Sequence, residues 1–341
     1  MHETAIEHSE EAAVDISDSQ DDRRKMYAEV KSILEYSPTL IEEVVMRFIS
    51  EREEEMKFRD KRNALYEMKD SEQRDSAFQN FHFSWFLKLE LDTPLVESIC
   101  SYPHIISKVD RVAIIQAPSK KNKGAELFRK NYKLYSKDEK NTSILITLTP
   151  EQFCKPDRLL DYLKHELQHI EDLLNPCFGY KLNSSNPNVS SLIDSLFLQR
   201  YSILWDLTVD GRLSNKNLPT SLSKETHFEK FQQTFQLPPG ESSRLFDYFF
   251  DNPNPKHEKL EDFAADPFDW LQDRKNAKDA SKGNCSLCTF SSTDLTSDTE
   301  LISEEIIELI QKENPDWKLS DPICGQCIDI YESRYTVARS L

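Results

Sequence analysis

Apolar residues recur at helical spacing over most of this chain and alternate over one stretch near its middle. From Arg24 to Tyr36 the spacing predicts a helix, stopped by Ser37-Pro38. Thr39 suits the cap of a second helix, which runs through Ile41, Val44, Val45, Phe48 and Ile49 toward Met68 and carries a charged, solvated run at 51–62. Ser71 to Leu91 predicts a third, whose Phe78, Phe81, Phe83, Trp85 and Phe86 read as core rather than as a binding platform. The period then changes. Arg111–Gln116, Leu127 onward to Tyr135, and Ser143–Leu148 are strand candidates, the last apolar and rich in β-branched residues. Helical spacing returns with Leu160, Leu163, Leu167, Ile170 and Leu174, bounded by Pro156-Asp157 and Asn175-Pro176. A further helix is predicted over Ser190–Asp210, with Leu192, Leu196, Tyr201, Leu204 and Val209 on its apolar side. Residues 216–275 hold six prolines and many aromatics and predict short helices and loops, and two more helices are predicted at Thr299–Gln311 and Ile328–Ala338.

The pattern amounts to an α+β protein with a small mixed sheet. Its expected organisation is an acidic, disordered tail at 1–23, a helical region at 24–95, a sheet-bearing domain at 96–275 and a cysteine-rich module at 276–341. Charge narrows the function. Against 43 Lys and Arg stand 60 Asp and Glu, a net charge of −17, which argues against a general nucleic-acid binder. Two local basic stretches, Lys120 to Lys140 and Arg274 to Lys282, do not change that: the first reads as a solvated hairpin, and acidic residues flank the second. No apolar run approaches the ~18 residues of a membrane span. The 6 glycines are not closely spaced, so no glycine-rich phosphate loop is expected. The acidic start lacks the apolar centre of a signal peptide, and with the paired cysteines it points to a reducing, cytoplasmic setting.

The chemistry lies in His165-Glu166-Leu167-Gln168-His169, an HExxH pattern inside a predicted helix. Two histidines four apart share one helix face, so both rings can reach one Zn²⁺, and the intervening glutamate can take a proton from a bound water. A catalytic zinc keeps three protein ligands. Asp206 and Asp210, one turn apart on the following helix, supply the acid: Asp210 is the expected ligand with Asp206 an orienting neighbour, and Asp206, Asp194 and His227 are the alternatives for the ligand. A short strand, an HExxH helix and a later helix with an acidic ligand resemble the zincin metallopeptidases, and the second helix resembles the gluzincin arrangement. The resemblance covers roughly residues 105–215. It implies a zinc peptidase in which His165, His169 and Asp210 hold the metal and Glu166 is the general base. It further implies a sheet edge along Ser143–Leu148 that pairs with extended substrate, and an oxyanion donor among Tyr180, Tyr201 and Arg212. Typical gluzincins carry glutamate, not aspartate, as the third ligand.

Cys285-Ser286-Leu287-Cys288 and Cys324-Gly325-Gln326-Cys327 form two CxxC pairs, the pattern of a structural Cys₄ zinc site. A knuckle followed later by a CxxC at a helix start resembles the treble-clef zinc fingers, which take protein or nucleic-acid partners or simply hold their own fold. Two zinc ions are therefore expected, one catalytic and one structural. The expected function is zinc-dependent peptide-bond hydrolysis on a protein or peptide substrate, with protein docking through the finger, nucleic acid disfavoured and no membrane. The competing expectation is an inactive zincin-shaped protein that binds partners through its Cys₄ module.

Overall fold

The computed structural model describes residues 21–50, 52–129, 142–181, 192–271, 283–289, 291–292, 294–297 and 302–339. These fall into two compact units, before and after the Asn175–Pro176 bond. Among the described residues no helix is long and apolar enough to cross a membrane.

The first unit is a small mixed sheet with helices around it. Helix α1 (21–33) is followed directly by β1 (Leu34–Tyr36), so the last three residues of the expected first helix are a strand. Long-range pairing decides this: Leu34, Glu35 and Tyr36 run parallel to Val112, Ala113 and Ile114 of β2 (Arg111–Gln116). The expected 39–68 helix is two, α2 (Pro38–Ile49) and α3 (Glu55–Ala64). The charged run between them has no apolar stripe to hold a straight helix. Phe58 instead brings α3 back onto α4 (Ser71–Lys88), with ring centroids 5.1 Å from Phe81 and 5.3 Å from Trp85. Asp70 caps α4 by accepting from the Gln73 amide at 2.8 Å. Two short helices had no sequence expectation, α5 (Thr93–Cys100) and α6 (Pro103–Lys108).

The sheet order is β1-β2-β4-β3, with β3 spanning Gly124–Arg129 and β4 Thr142–Leu148. β2 and β4 are parallel and β3 is antiparallel to β4. β4 thus lies inside the sheet, and its edge is not the open one that the sequence suggested. Alternation is clear: Val112, Ile114, Ile144, Ile146 and Leu148 are buried in one core with Val30, Val44, Phe86, Leu95 and Leu163. Each such side chain contributes roughly 1.5–3 kcal/mol. The 24–95 helices and the sheet therefore share one core instead of forming separate domains. After the single-turn helix α7 (Pro150–Phe153) comes α8 (Pro156–Leu174), with the expected ends. Leu159, rather than Leu160, begins its buried stripe.

The second unit is helical around an aromatic core. α9 (Leu192–Asn215), α10 (Lys224–Phe235), α11 (Pro239–Phe250) and α12 (His257–Ala265) enclose Leu204, Leu207, Phe231, Phe235, Phe249 and Phe263. Close approach of α9 and α11 depends on Gly211: a Cβ placed there would lie 1.8 Å from the Phe250 carbonyl oxygen. The cysteine module comes next, as β5 (Gly283–Asn284), β6 (Ser291–Ser292), β7 (Leu295–Thr296), α13 (Glu304–Glu313), β8 (Ile323–Cys324) and α14 (Gly325–Arg339). Its core takes in Leu196 of α9. The 275/276 boundary expected from sequence is accordingly bridged by shared packing. Lys130 to Lys140 and Arg274 to Lys282 lie outside the described residues, as does most of the 1–23 tail.

Candidate metal centres

α8 is anchored at several points along its length. Tyr102 donates its hydroxyl to the Lys164 carbonyl at 2.5 Å. The Glu171 carboxylate accepts from the His104 and Ile105 amides and pairs with His104 Nδ1 at 2.6 Å, which caps α6 and fastens it to α8. Lys108 Nζ donates to the Leu174 carbonyl at 2.6 Å, satisfying the helix C-terminus. On this support His165, 9 % exposed, and His169 present their Nε2 atoms 3.4 Å apart, with the rings at 75°. Two nitrogens bound at 2.0–2.1 Å to one tetrahedral ion stand about 3.4 Å apart, so the pair is spaced for a shared metal. Glu166 lies beside the start of β3: a Cβ placed on Gly124 would be 3.8 Å from its Oε2. Tyr162, one turn earlier, has its phenol held above the ordinary range by burial first and the Glu166 charge second.

Asp210, the expected third ligand, is engaged by other partners. Its fully buried carboxylate accepts from the Ser221 amide at 3.1 Å, the Ser221 hydroxyl at 2.6 Å and the Leu222 amide at 3.0 Å, and pairs with His227 Nε2 at 2.7 Å. It clamps the start of α10 to α9, and His227 is engaged in the same clamp. Asp206, expected as an orienting neighbour with the ligand role left open to it, is the carboxylate that groups with His165 and His169: one ligand atom from each lies within 4.8 Å of the others. These three residues can hold a metal ion. The Asp194 side chain lies outside the described residues. Of the oxyanion candidates, Tyr201 is bonded to His257 Nδ1 at 2.7 Å, Tyr180 stacks near Trp205, and Arg212 Nε donates to the Thr208 carbonyl at 3.0 Å.

The four expected cysteines converge. Cys285 and Cys288 lie in the turn between β5 and β6, and Cys324 and Cys327 straddle the β8–α14 junction. Cys285 Sγ is 3.6 Å from Cys327 Sγ, and Cys288 Sγ is 3.8 Å from Cys324 Sγ. A disulfide needs about 2.05 Å, whereas a tetrahedron with 2.3 Å metal–sulfur bonds has edges of about 3.8 Å. The Cys324 amide donates to Cys285 Sγ at 3.3 Å. Cys285 is held below the usual thiol range, first by its hydrogen bond with Cys288, and Cys327 is held above it by its bond with Cys285. All four are buried, and sulfurs this close share negative charge comfortably only around a cation. Four cysteines in this geometry can hold a metal ion.

Comparison of the chain with protein-family models, with curated proteins and with solved structures finds no match. The sequence preferred Asp210 and left Asp206 as an alternative, a choice that their i, i+4 relation could not settle. Gly124 beside Glu166 was missed, since only the β3–β4 pairing brings it there.

Proposed function

We propose that this chain is a zinc-dependent peptidase whose centre is His165, His169 and Asp206, with Glu166 as general base. One observation carries the reading: two ring nitrogens 3.4 Å apart on α8 group with a carboxylate oxygen, all within 4.8 Å. A zinc held there would polarise a carbonyl and lower the pKa of a water in the remaining position to about 7. Glu166 would take a proton from that water as it attacks and return it to the leaving amine. Its place beside Gly124 puts it at the start of β3, whose only strand neighbour among the described residues is β4. An extended peptide would pair along the outer side of β3 by main-chain hydrogen bonds. This replaces the β4 edge suggested by sequence. A second zinc, structural, would be held by Cys285, Cys288, Cys324 and Cys327 in a treble-clef-like module: a knuckle, a β-hairpin and a helix N-terminus. Four unoxidised thiols suit a reducing compartment such as the cytoplasm.

The test is Glu166→Gln in the zinc-loaded full chain, assayed on a denatured, fluorescently quenched protein. The variant is expected to keep two zincs per chain and to lose turnover by about 10²–10⁴-fold, the usual contribution of a positioned base. Turnover equal to the parent's rules out Glu166 as base. A parent with two zincs and no cleavage instead supports a binding protein that works through its Cys₄ module.

A further inference from the structure

Arg200 is 4 % exposed, one turn after Leu196 on α9, and Leu196 is fully buried in the core of the cysteine module. Arginine is rarely this buried without negative charge nearby. Its Nη2 donates to Gln326 Oε1 at 3.1 Å. Gln326 sits between Cys324 and Cys327, and its own Nε2 donates to the Thr234 carbonyl of α10. Burial presses the guanidinium below its ordinary range, and the sulfurs of Cys288, Cys324 and Cys327 act against that, as does Asp266. A divalent ion with four thiolates carries a net charge of −2, and burying that charge requires a compensating cation.

We propose that Arg200 is the counter-charge of a buried metal–tetrathiolate centre and ties its loading to α9, the helix that carries Asp206. The inference rests on the reading of the four cysteines as a metal site. Loading the site would add two units of net negative charge to the module whose core the buried guanidinium adjoins. By linkage Arg200 must then raise the affinity of the site for metal as much as the metal steadies Arg200. Through Gln326 and Thr234 the same contacts draw in α10, whose start the Asp210 clamp holds. Arg200 acts through the cysteine module and is a positioning residue.

The experiment uses the full-length chain with Co²⁺ as probe, read by thiolate-to-cobalt charge-transfer absorption and by competition against a chelator. Arg200→Met is expected to weaken the thiolate site about 10-fold or more, and Arg200→Lys to stay within about threefold of the parent. Hydrogen exchange on the parent provides a measurement that needs no variant: amides of residues 196–204 should become more protected when metal is added. Arg200→Met binding as tightly as the parent, or exchange in 196–204 indifferent to metal, overturns the coupling while leaving the Cys₄ site standing. Absence of any charge-transfer band in the parent overturns the metal site itself and the coupling with it.

Discussion

Gly211→Ala sets two effects against each other. In an ordinary helix interior, alanine is favoured over glycine by about 1 kcal/mol. Gly211 lies inside α9, so propensity alone predicts a gain. Sterics predict the reverse. The new methyl would sit 1.8 Å from the Phe250 oxygen, 2.7 Å from its carbonyl carbon and 3.1 Å from its Cα, all main-chain atoms of α11. Relief requires α9 and α11 to part by more than an ångström, and a gap of ~0.5–1 Å already forfeits a quarter to a half of each contact along the seam. Overpacking of this kind costs about 1–3 kcal/mol or more, and displaced backbone belongs at the upper end. The net expectation is destabilisation by roughly 2–3 kcal/mol, which for a unit of this size lowers Tm by about 4–12 °C. Gly240 is the control: a Cβ there meets nothing within 4 Å, so Gly240→Ala should hold or raise Tm by the equivalent of ~0.5–1 kcal/mol. Tryptophan fluorescence suits the assay, because three of the four tryptophans, Trp205, Trp270 and Trp317, lie after residue 175. A Gly211→Ala protein melting at or above the parent temperature refutes the close-approach argument.

Two further outcomes distinguish assignments that sequence left together. Asp206→Asn should lose the metal held with His165 and His169 yet keep the Cys₄ metal. Asp210→Asn should keep both, and lower stability by about 1–3 kcal/mol through its weakened buried hydrogen bonds; metal counts that show the opposite pattern return the ligand role to Asp210. His82 is buried and accepts from Arg62 Nε at 3.4 Å, and its pKa is lowered, by burial above all. Its native form therefore binds a proton less readily than the unfolded form, whose pKa is near 6.5. That contribution to stability is whole above about pH 6.5 and shrinks as pH falls toward the native pKa, by at most about 1.4 kcal/mol per pH unit. Urea unfolding at pH 7 and 5.5 should show a smaller acid loss in His82→Gln than in the parent; equal losses would falsify the assignment.

Most of the legible features were local ones. α8 was legible end to end because Pro156, the 3–4 leucine spacing and Asn175-Pro176 all act within a few residues of the helix they define. The cysteine pairs were legible because CxxC spacing is itself the geometry of a knuckle. β1 was not, since Leu34–Tyr36 becomes a strand only by pairing with residues nearly eighty positions later. Asp206 and Asp210 have the same side chain and share a helix face; what distinguishes Asp210 is the turn at Ser221–Leu222 that bonds its carboxylate. Arg200 offered no signal, because a single arginine in a mixed helix looks like surface until the fold encloses it.

α9 does several unlike things at fixed intervals: Leu196 and Arg200 meet the cysteine module, Asp206 joins the histidines, Asp210 grips the next helix and Gly211 admits Phe250. Each residue inserted into a helix rotates every later side chain by about 100° and advances it 1.5 Å. Side chains on the solvent side of α9 are thus open to exchange, whereas its count of residues between positions 196 and 211 is not. The segment behaves as a measuring rod, tolerant of spelling and intolerant of length.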